Sequence, residues 1–591
     1  MTSPPTMTDA TEALRRIYGF AGFRGRQAEV VERVLAGHNT LAVMPTGAGK
    51  SLTYHLPATL LDGTCIVISP LIALMHDQLR SARANGIRAA TLTSADADWR
   101  ATLDRLRAGE LDLLYVAPER ASHAGFRQLL SETRLALFAV DEAHCVSEWG
   151  HDFRPDYRQL RPLMDAFPDV PRLALTATAD RHTRADILTQ LGIPPDGLVL
   201  AGFDRPNIRY RITGRDGLPR QLAALCAGHD GPGIVYAPTR RKVEQLAEQL
   251  AATTGRDVLP YHAGLPAEIR ARNQAAFVAS ENMVIVATIA FGMGIDKPDV
   301  RFVAHAALPK SIEAYYQETG RAGRDGDPAE AVLLWSAGDF AQARMRLAEL
   351  PADRQPSERQ RLTALAGLVE TPGCRRAVLL RHFGESPPPT CGNCDNCLDP
   401  PERIDVTELA RKILSAVYKT GQSFGAGHIV KVLTGVQDDK ITQRGHHDLS
   451  VHGIVAGADA PLLQPVIRAL QVHGALSSTE HGGLRLDGDA RAMLRGEVDL
   501  EITKPQPRRG RARSSVPNPV GDPLFEALRT LRRDLAAEAG LPPYVIFHDA
   551  ALRAMAAQRP VNLSELGQIP GIGEKKLASY GEAFLKAIRD N

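Results

Sequence analysis

The chain has 591 residues, of which 44% are hydrophobic and 23% are charged, and its formal net charge is +2. We expect several domains of ordinary globular composition, and the small net charge neither requires nor excludes a nucleic-acid partner. Apolar stretches fall short of the roughly 18 residues of a membrane span, and residues 1–10 lack the pattern of a secretory signal. The sequence therefore predicts a cytoplasmic protein that does not contact a membrane.

Short apolar runs alternate with helix-like stretches from residue 41 to about residue 178. These runs are Leu41–Met44, Cys65–Ile68, Leu113–Val116, Leu135–Val140 and Leu173–Leu175. The alternation is typical of a parallel sheet with helices on its faces. The same pattern returns at Gly233–Tyr236, Val284–Ala287 and Val300–Ala304. The sequence therefore predicts two α/β domains in tandem, with a boundary near Phe203–Pro206.

The first apolar run leads directly into a glycine-containing segment, residues 44–51, which a predicted helix follows. This arrangement is typical of a phosphate-binding loop, here called the P-loop: glycines let backbone N–H groups turn towards phosphates, a lysine adds positive charge, and a hydroxyl can contact Mg²⁺. Met44 stands where the longer form of the motif has glycine. The predicted nucleotide contacts are Thr46, Gly47, Gly49, Lys50 and Ser51.

An acidic motif, Asp141-Glu-Ala-His144, follows the apolar run that ends at Val140. In phosphoryl transfer, one carboxylate holds Mg²⁺ and a second orients or deprotonates the attacking water. We therefore expect Asp141 and Glu142 to take these two roles, and His144 to link hydrolysis to a neighbouring segment.

Four of the seven cysteines are clustered in the spacing C-x16-C-x2-C-x2-C: Cys374, Cys391, Cys394 and Cys397. In a large chain without a secretory signal, such clusters bind metal more often than they form disulfides. Four thiolates close a tetrahedral zinc site with no open position, which favours a structural zinc ion. An iron–sulfur cluster would also accept four cysteines.

Four further segments surround these motifs in the order found in superfamily 2 helicases: Phe20–Gln27, Ser69–Gln78, Ala174–Ala179 and Gln317–Gly326. Together they resemble the bacterial RecQ family of DNA helicases from about residue 10 onwards. The resemblance implies a multidomain α/β fold: two RecA-like parallel-sheet lobes, a zinc-binding helical patch, a winged helix and a small all-α HRDC domain. The implied boundaries are 1–205 and 206–340 for the lobes, 341–402 for the zinc-binding domain, 403–502 for the winged helix, 503–521 for a basic linker and 522–591 for the HRDC domain.

The resemblance also assigns nucleotide contacts outside the P-loop. Gln27 corresponds to the glutamine that reads adenine, Phe20 to the residue that stacks on the base, and Arg24 lies nearby; many relatives carry tyrosine in place of Phe20. In the second lobe, the implied nucleotide-binding and catalytic residues are Gln317, Arg321 and Arg324. Arg324 is the stronger candidate for an arginine finger, which stabilises the charge of the transition state.

Predicted DNA contacts lie in both lobes and in the C-terminal domains. Residues 145–157 are rich in aromatic side chains and resemble the aromatic-rich loop of the family, in which rings can stack on unpaired bases. The candidates there are Trp149, Phe153 and Arg154, although Trp149 and Phe153 could instead form an i, i+4 core pair. Further candidates are Thr288, Gly292, His473 and Lys575, and the alternative for His473 is a solvated side chain.

The sequence therefore predicts an ATP-dependent 3′-to-5′ DNA helicase that acts on duplex and branched DNA in recombination and repair. Its cofactors would be ATP, Mg²⁺ and structural Zn²⁺. We expect a nucleoid-associated monomer that binds single-stranded and duplex DNA, with single-strand-binding protein as a further partner. Two alternatives stay open: a DNA-binding or annealing protein with weak ATPase activity, and an RNA helicase of the Asp-Glu-Ala-His type.

Overall fold

A computed structural model describes residues 4–93, 96, 98–147, 154–291, 297–455, 457, 459–478, 483–503 and 522–591. Across these residues the chain forms two parallel-sheet lobes, a cysteine-containing helical segment, a mixed region of helices and short strands, and a C-terminal helical module. This architecture confirms the predicted fold class. No helix in these ranges is long and apolar enough to cross a membrane.

The first lobe is built on a sheet of seven strands within the described residues, in the order β3-β4-β2-β5-β6-β1-β7. Its elements are α1 (Met7–Tyr18), α2 (Gln27–Leu35), β1 (Thr40–Val43), α3 (Leu52–Ala58), β2 (Thr64–Ile68), α4 (Ile72–Ala84), β3 (Ala89–Leu92), α5 (Trp99–Arg107), β4 (Leu113–Val116), α6 (Pro118–Ala121), α7 (Ala124–Ser131), β5 (Leu135–Val140), α8 (Pro155–Arg158), α9 (Leu160–Asp165), β6 (Arg172–Thr176), α10 (Arg181–Leu191) and β7 (Leu198–Leu200). Every pairing between these strands is parallel.

The second lobe repeats this plan with six strands in the part of the chain that is described, ordered β10-β11-β9-β12-β13-β8. Its elements are β8 (Ile208–Gly214), α11 (Leu218–Ala227), β9 (Gly233–Tyr236), α12 (Arg240–Thr254), β10 (Val258–Tyr261), α13 (Ala267–Ala279), β11 (Val284–Ala287), β12 (Phe302–His305), α14 (Ile312–Thr319) and β13 (Ala329–Trp335). These strands are also paired in parallel.

The central strands are short and apolar because helices cover both faces of each sheet. Every residue of β1, β2, β4, β9 and β11 is buried, as expected for strands in an α/β sheet. Parallel strands bring their carboxyl ends to one edge of a sheet, where α/β proteins bind ligands. The P-loop follows β1 and the acidic motif follows β5, so the two motifs emerge at the same edge.

Three smaller regions follow the lobes. The cysteine-containing segment has α15 (Ala337–Ala348), α16 (Gln355–Glu370), α17 (Arg375–His382) and α18 (Asp395–Leu398). The mixed region has β14 (Arg403–Asp405), α19 (Thr407–Lys419), α20 (Ala426–Leu433), α21 (Asp439–Gln443), α22 (Leu463–Val472), β15 (Leu476–Ser478), β16 (Leu484–Leu486), α23 (Ala490–Arg495) and β17 (Glu501–Thr503). The C-terminal module has α24 (Pro523–Glu538), α25 (Pro543–Ile546), α26 (Asp549–Gln558), α27 (Leu563–Leu566) and α28 (Glu574–Asp590).

The C-terminal module packs against both lobes. Three of its arginines form ion pairs with carboxylates of the second lobe, and residues at and just before the start of α28 bond to backbone carbonyls of the first. These contacts join Arg529 to Glu281 (2.8 Å), Arg532 to Glu281 (2.7 Å), Arg553 to Asp327 (2.6 and 2.8 Å), Lys575 Nζ to the Arg83 carbonyl (2.7 Å) and the Gly571 N–H to the Gly19 carbonyl (3.1 Å). In this structure the module therefore spans the two lobes.

Three buried aromatic rings join the first lobe, the second lobe and the cysteine-containing segment. The ring of Phe203 stacks on that of Phe383, with centroids 4.6 Å apart and planes 13° from parallel. The ring of Tyr316 lies 4.8 Å from that of Phe383, and its hydroxyl donates to the carbonyl of Phe203 at 2.6 Å. All three side chains are buried, so this cluster fixes the point where the three regions meet.

We predict that Phe383→Ala lowers the free energy of unfolding by about 3–5 kcal/mol, because it removes a buried ring and leaves a cavity. Urea unfolding followed by circular dichroism measures this change. The matched control is Trp99→Ala, which truncates an aromatic side chain that is 41% exposed in the first lobe and should cost about 0.5 kcal/mol or less. Equal destabilisation by the two substitutions would contradict the assignment of the cluster.

Candidate nucleotide site and metal centre

The P-loop turns through two glycines whose backbone conformations would strain a residue with a larger side chain. Gly47 and Gly49 have φ of 85° and 73°, in the left-handed region that favours glycine. A Cβ at position 49 would lie only 2.5 Å from the Nε2 of Gln27. The Nζ of Lys50 donates to the carbonyl of Met44 at 3.3 Å, and Thr46 is buried. The loop is therefore folded as the phosphate-binding motif predicts.

Gln27 is bonded directly to the P-loop and is 4% exposed, whereas an isolated glutamine on a helix would be solvated. Its Nε2 donates to the carbonyls of Ala48 at 2.8 Å and Gly49 at 3.3 Å, and its Oε1 accepts the N–H of Arg24 at 2.9 Å. The guanidinium of Arg24 lies 5.4 Å from the ring centroid of Phe20. The three residues predicted to contact adenine thus lie together beside the loop, while adenine recognition itself stays a prediction.

The acidic motif places two carboxylates at the end of β5. Burial raises the pKa of Asp141 to about 6, the nearby carboxylate of Glu142 adds to this shift, and the positive charge of Lys50 opposes it. The Nε2 of Gln78 donates to the Oδ2 of Asp141 at 3.2 Å. A buried carboxylate needs compensating positive charge to stay ionised, so this residue fits a ligand of Mg²⁺, which the P-loop hydroxyl of Ser51 would share.

Glu142 has φ of 48°, a left-handed conformation that costs a non-glycine residue on the order of 1–3 kcal/mol and that is concentrated at functional sites. Its carboxylate lies 3.3 Å from the Nδ1 of His144, and the same nitrogen lies 3.0 Å from the hydroxyl of Thr176 at the end of β6. Tyr157 donates to the carbonyl of Asp141 at 3.0 Å. The sequence analysis gives no individual role to Thr176 or Tyr157. Their contacts with the acidic motif depend on how separate segments of the first lobe fold together.

The segment 317–326 of the second lobe packs directly against the P-loop. A Cβ added at Gly47 would lie 3.4 Å from the Cα of Arg324, and a Cβ added at Gly320 would lie 3.3 Å from the Cβ of Thr46. Arg321 is buried within the same segment, and Gln317 at the start of the segment is half-buried. The structure therefore brings together the loop that carries Lys50 and the segment that carries the predicted arginine finger.

The predicted DNA contacts are described only in part. Trp149, Phe153 and Gly292 lie outside the described residues. Arg154 donates through Nη1 to the carbonyl of Pro70 at 3.0 Å, and Thr288 is half-buried at the end of β11.

Two further candidates for DNA contact bond to other regions of the chain. The Nε2 of His473 is 2.9 Å from the carboxylate of Glu370 while its side chain is 46% exposed, and Lys575 donates to the carbonyl of Arg83 as described above. The pKa of His473 is raised, first by its hydrogen bond to Glu370. The roles of these side chains in DNA binding stay predictions.

The four clustered cysteines form a compact thiol group. The Sγ atoms of Cys391 and Cys397 are 3.9 Å apart, as are those of Cys374 and Cys394, and all four lie within 4.8 Å of one another. Tetrahedral zinc with bonds of about 2.3 Å requires sulfur–sulfur separations of about 3.8 Å. Burial raises the pKa of Cys374 to about 12 and also raises that of Cys394, whereas the pKa of Cys397 is lowered to about 7, with the N–H of Cys391 as the largest lowering cause. The spacing of the four sulfur atoms fits a structural zinc ion, whose charge would hold all four as thiolates.

The cysteine group shares its core with the second lobe. Cys374 and Cys394 belong to the same hydrophobic cluster as the strands of that lobe. Asp395, which follows the third cysteine, accepts the N–H of Ile212 in β8 at 2.9 Å and pairs with the guanidinium of Arg375 at 3.2 Å. Loss of a metal ligand should therefore weaken the second lobe as well as the cysteine-containing segment.

We predict that Cys391→Ala abolishes stoichiometric zinc binding and lowers the thermal midpoint, because three thiolates cannot close the site. Zinc released by denaturation and measured with a colorimetric chelator should fall from about one ion per chain to a small fraction of that value. The matched control is Cys226→Ala, which removes a buried cysteine of the second lobe from outside the cluster and should retain zinc. Full zinc content in the Cys391 variant would refute the site.

Five family models match consecutive parts of the chain. They are DEAD/DEAH box helicase at residues 24–187, helicase conserved C-terminal domain at 218–326, RecQ zinc-binding at 337–398, RQC domain at 400–511 and HRDC domain at 522–588. The chain is also 43% identical to the ATP-dependent DNA helicase RecQ of Haemophilus influenzae, covering 98% of this chain and 96% of that protein. It is 37% identical to the RecQ of Bacillus subtilis, with 98% of each chain covered. The chain therefore belongs to the RecQ family of helicases.

Proposed function

We propose that this chain is an ATP-dependent 3′-to-5′ DNA helicase that unwinds duplex and branched DNA in recombination and repair. The observation that carries this proposal is the contact between the P-loop of the first lobe and the segment 317–326 of the second. Because one nucleotide site is built from two lobes, binding and hydrolysis of ATP can change the separation of the lobes. A motor that moves along a strand needs such a change.

The residues of the site divide the work of phosphoryl transfer. Lys50 binds the β- and γ-phosphates, Glu142 orients the attacking water, and Arg324 stabilises the charge that develops on the transferred group. Asp141 and Ser51 would hold Mg²⁺, which neutralises phosphate charge when it is bound.

The remaining candidates act around this centre. Arg321 supports Arg324, His144 connects Glu142 to Thr176 at the end of β6, and Gln27 with Phe20 and Arg24 receives adenine. Each of these roles is a proposal that substitution of the residue can test.

DNA is the favoured track because regions outside the two lobes match DNA-helicase modules. The chain has the zinc-binding, RQC and HRDC matches that accompany RecQ proteins, and its relatives carry the name DNA helicase. An RNA helicase of the Asp-Glu-Ala-His type would share the motor without requiring these modules. A decayed ATPase that only binds or anneals DNA would be expected to have lost residues such as Lys50 or Glu142, and both are present.

The proposed DNA contacts serve a motor that must tolerate any sequence. Contacts to the phosphate backbone and stacking on bases give such tolerance. We assign these contacts to Arg154, Thr288, His473 and Lys575, together with Trp149, Phe153 and Gly292.

The oligomeric state, the cellular location and the binding partners are also part of the proposal. We propose a monomer that works in the cytoplasm on nucleoid DNA, both single-stranded and duplex, with single-strand-binding protein as a partner. Residues 505–519 contain four arginines and no acidic residue, which supports attraction of this linker to the DNA backbone.

We predict that the protein displaces a strand from a duplex with a 3′ single-stranded tail when ATP is supplied, and that it does so poorly from a 5′-tailed duplex or from an RNA duplex. A fluorescence-quenching assay on these substrates measures the rates. Lys50→Ala should abolish ATP turnover and unwinding while DNA affinity stays within about 3-fold, because the lysine binds phosphate of the nucleotide. DNA-stimulated ATP turnover without unwinding of the 3′-tailed duplex would contradict the proposal.

A further inference from the structure

Arg205 lies between β7 and β8, where the chain passes from the first lobe to the second, and it bonds to backbone on both sides of the nucleotide site. Its Nη1 donates to the carbonyl of Thr46 in the P-loop at 2.6 Å and to that of Gly320 at 3.1 Å. Its Nη2 donates to the carbonyls of Ala322 at 2.9 Å and Gly323 at 2.7 Å. One guanidinium therefore holds one carbonyl of the first lobe and three of the segment 317–326.

This geometry suits arginine in particular. The guanidinium is a rigid plane with several donors in fixed directions, so carbonyls that bond to it are held at fixed separations from one another. Hydrogen bonds from a charged donor are also stronger than neutral ones. Asn207, two residues along the chain, adds a bond from its Nδ2 to the carbonyl of Gly323 at 2.8 Å and another to that of Asp327 at 2.8 Å. The segment 317–326 is thus held from the lobe junction at several points.

The carbonyls that Arg205 holds belong to the residues beside the charged groups of the site. Gly47, which follows Thr46, would place an added Cβ 3.3 Å from the Nη1 of Arg205 and 3.4 Å from the Cα of Arg324. Arg321 lies between Gly320 and Ala322, and Arg324 directly follows Gly323. The position of Arg324 relative to the P-loop therefore depends on the same bonds.

We propose that Arg205 is a positioning residue for ATP hydrolysis: it sets the separation between the P-loop and the segment that carries Arg324, so that the arginine finger reaches the γ-phosphate of the nucleotide held by Lys50. This inference rests on the proposed function, because it requires that Arg324 acts in hydrolysis. In this proposal, Arg205 acts through the backbone carbonyls of its neighbours and not through a direct contact with the nucleotide. Arg205 should therefore matter for the chemical step more than for nucleotide binding.

The test compares Arg205→Met with a matched control, Arg256→Met, in the full-length protein. Arg256 also donates to several backbone carbonyls, including those of Cys226 at 2.9 Å and His229 at 2.8 Å, but all of these lie within the second lobe and away from the P-loop. DNA-stimulated ATP turnover gives kcat and KM, a fluorescent ATP analogue gives nucleotide affinity, and thermal unfolding confirms that each variant is folded. The two substitutions remove comparable sets of bonds, so a general loss of stability should affect them alike.

We expect Arg205→Met to lower kcat by about 100-fold or more, in the range typical of losing a transition-state donor, while KM and the affinity for the analogue change by less than about 3-fold. Arg256→Met should leave both kcat and affinity near the wild-type values. Arg205→Lys should give an intermediate kcat, because a lysine keeps the charge but cannot bond to four carbonyls in fixed directions. If Arg205→Met does not fold, the same comparison is made with Arg205→Lys.

A double-substitution cycle separates positioning from a general structural role. If Arg205 acts through the finger, Arg205→Met combined with Arg324→Ala should be no slower than Arg324→Ala alone. Multiplied losses in the double variant, or parallel losses of kcat and nucleotide affinity in Arg205→Met, would overturn the inference. If Arg324→Ala by itself leaves ATP turnover unchanged, the assigned role of the finger fails, and that result is distinct from a failure of the role of Arg205.

Discussion

The nucleotide site depends on one close contact between the lobes, in which the backbone of the P-loop packs against the segment 317–326. Neither lobe carries a complete set of charged groups: Lys50, Asp141 and Glu142 belong to the first, and Arg324 belongs to the second. A Cβ added at Gly47 would lie 3.4 Å from the Cα of Arg324, and a Cβ added at Gly320 would lie 3.3 Å from the Cβ of Thr46, so larger side chains at these two glycines would crowd the contact. In the function proposed above, these glycines let the two lobes approach closely enough to share a single triphosphate.

The rest of the molecule stabilises this approach. The ring cluster of Phe203, Tyr316 and Phe383 joins three regions behind the site, and the cysteine-containing segment shares its core with the second lobe. At the site itself, unfavourable features are concentrated: Glu142 has a left-handed backbone and Asp141 is a buried carboxylate. Such costs persist where the surrounding fold supports them, and their position beside the P-loop is consistent with a site that is organised before nucleotide arrives.

Much of this arrangement could be predicted from the sequence, because the motifs carry their own chemistry and the central strands are uniformly apolar. Five strands of the two lobes are not predicted by the sequence: the edge strands β3, β7, β8 and β10, and the internal strand β13, which pairs with β12 and β8. An edge strand has one neighbour and needs no continuous apolar run, as the alternating burial of β8 illustrates. The sequence indicates Arg205 only as part of a domain boundary. Its hydrogen-bond partners are backbone carbonyls, and a pattern of side chains does not predict such bonds. The docking of the C-terminal module on both lobes was also beyond the sequence, because it depends on pairs such as Arg553 with Asp327 that are 226 residues apart.

The most direct measurement of the central claim compares the affinities of ADP with aluminium fluoride, which mimics the transition state, and of a non-hydrolysable ATP analogue, in the wild-type protein and in Arg324→Ala. If both lobes act on one triphosphate, the variant should lose about 100-fold or more in affinity for the transition-state mimic and less than about 3-fold for the ground-state analogue. Equal affinities of the two proteins for the transition-state mimic would show that the second lobe does not reach the reacting phosphate, and would contradict the account.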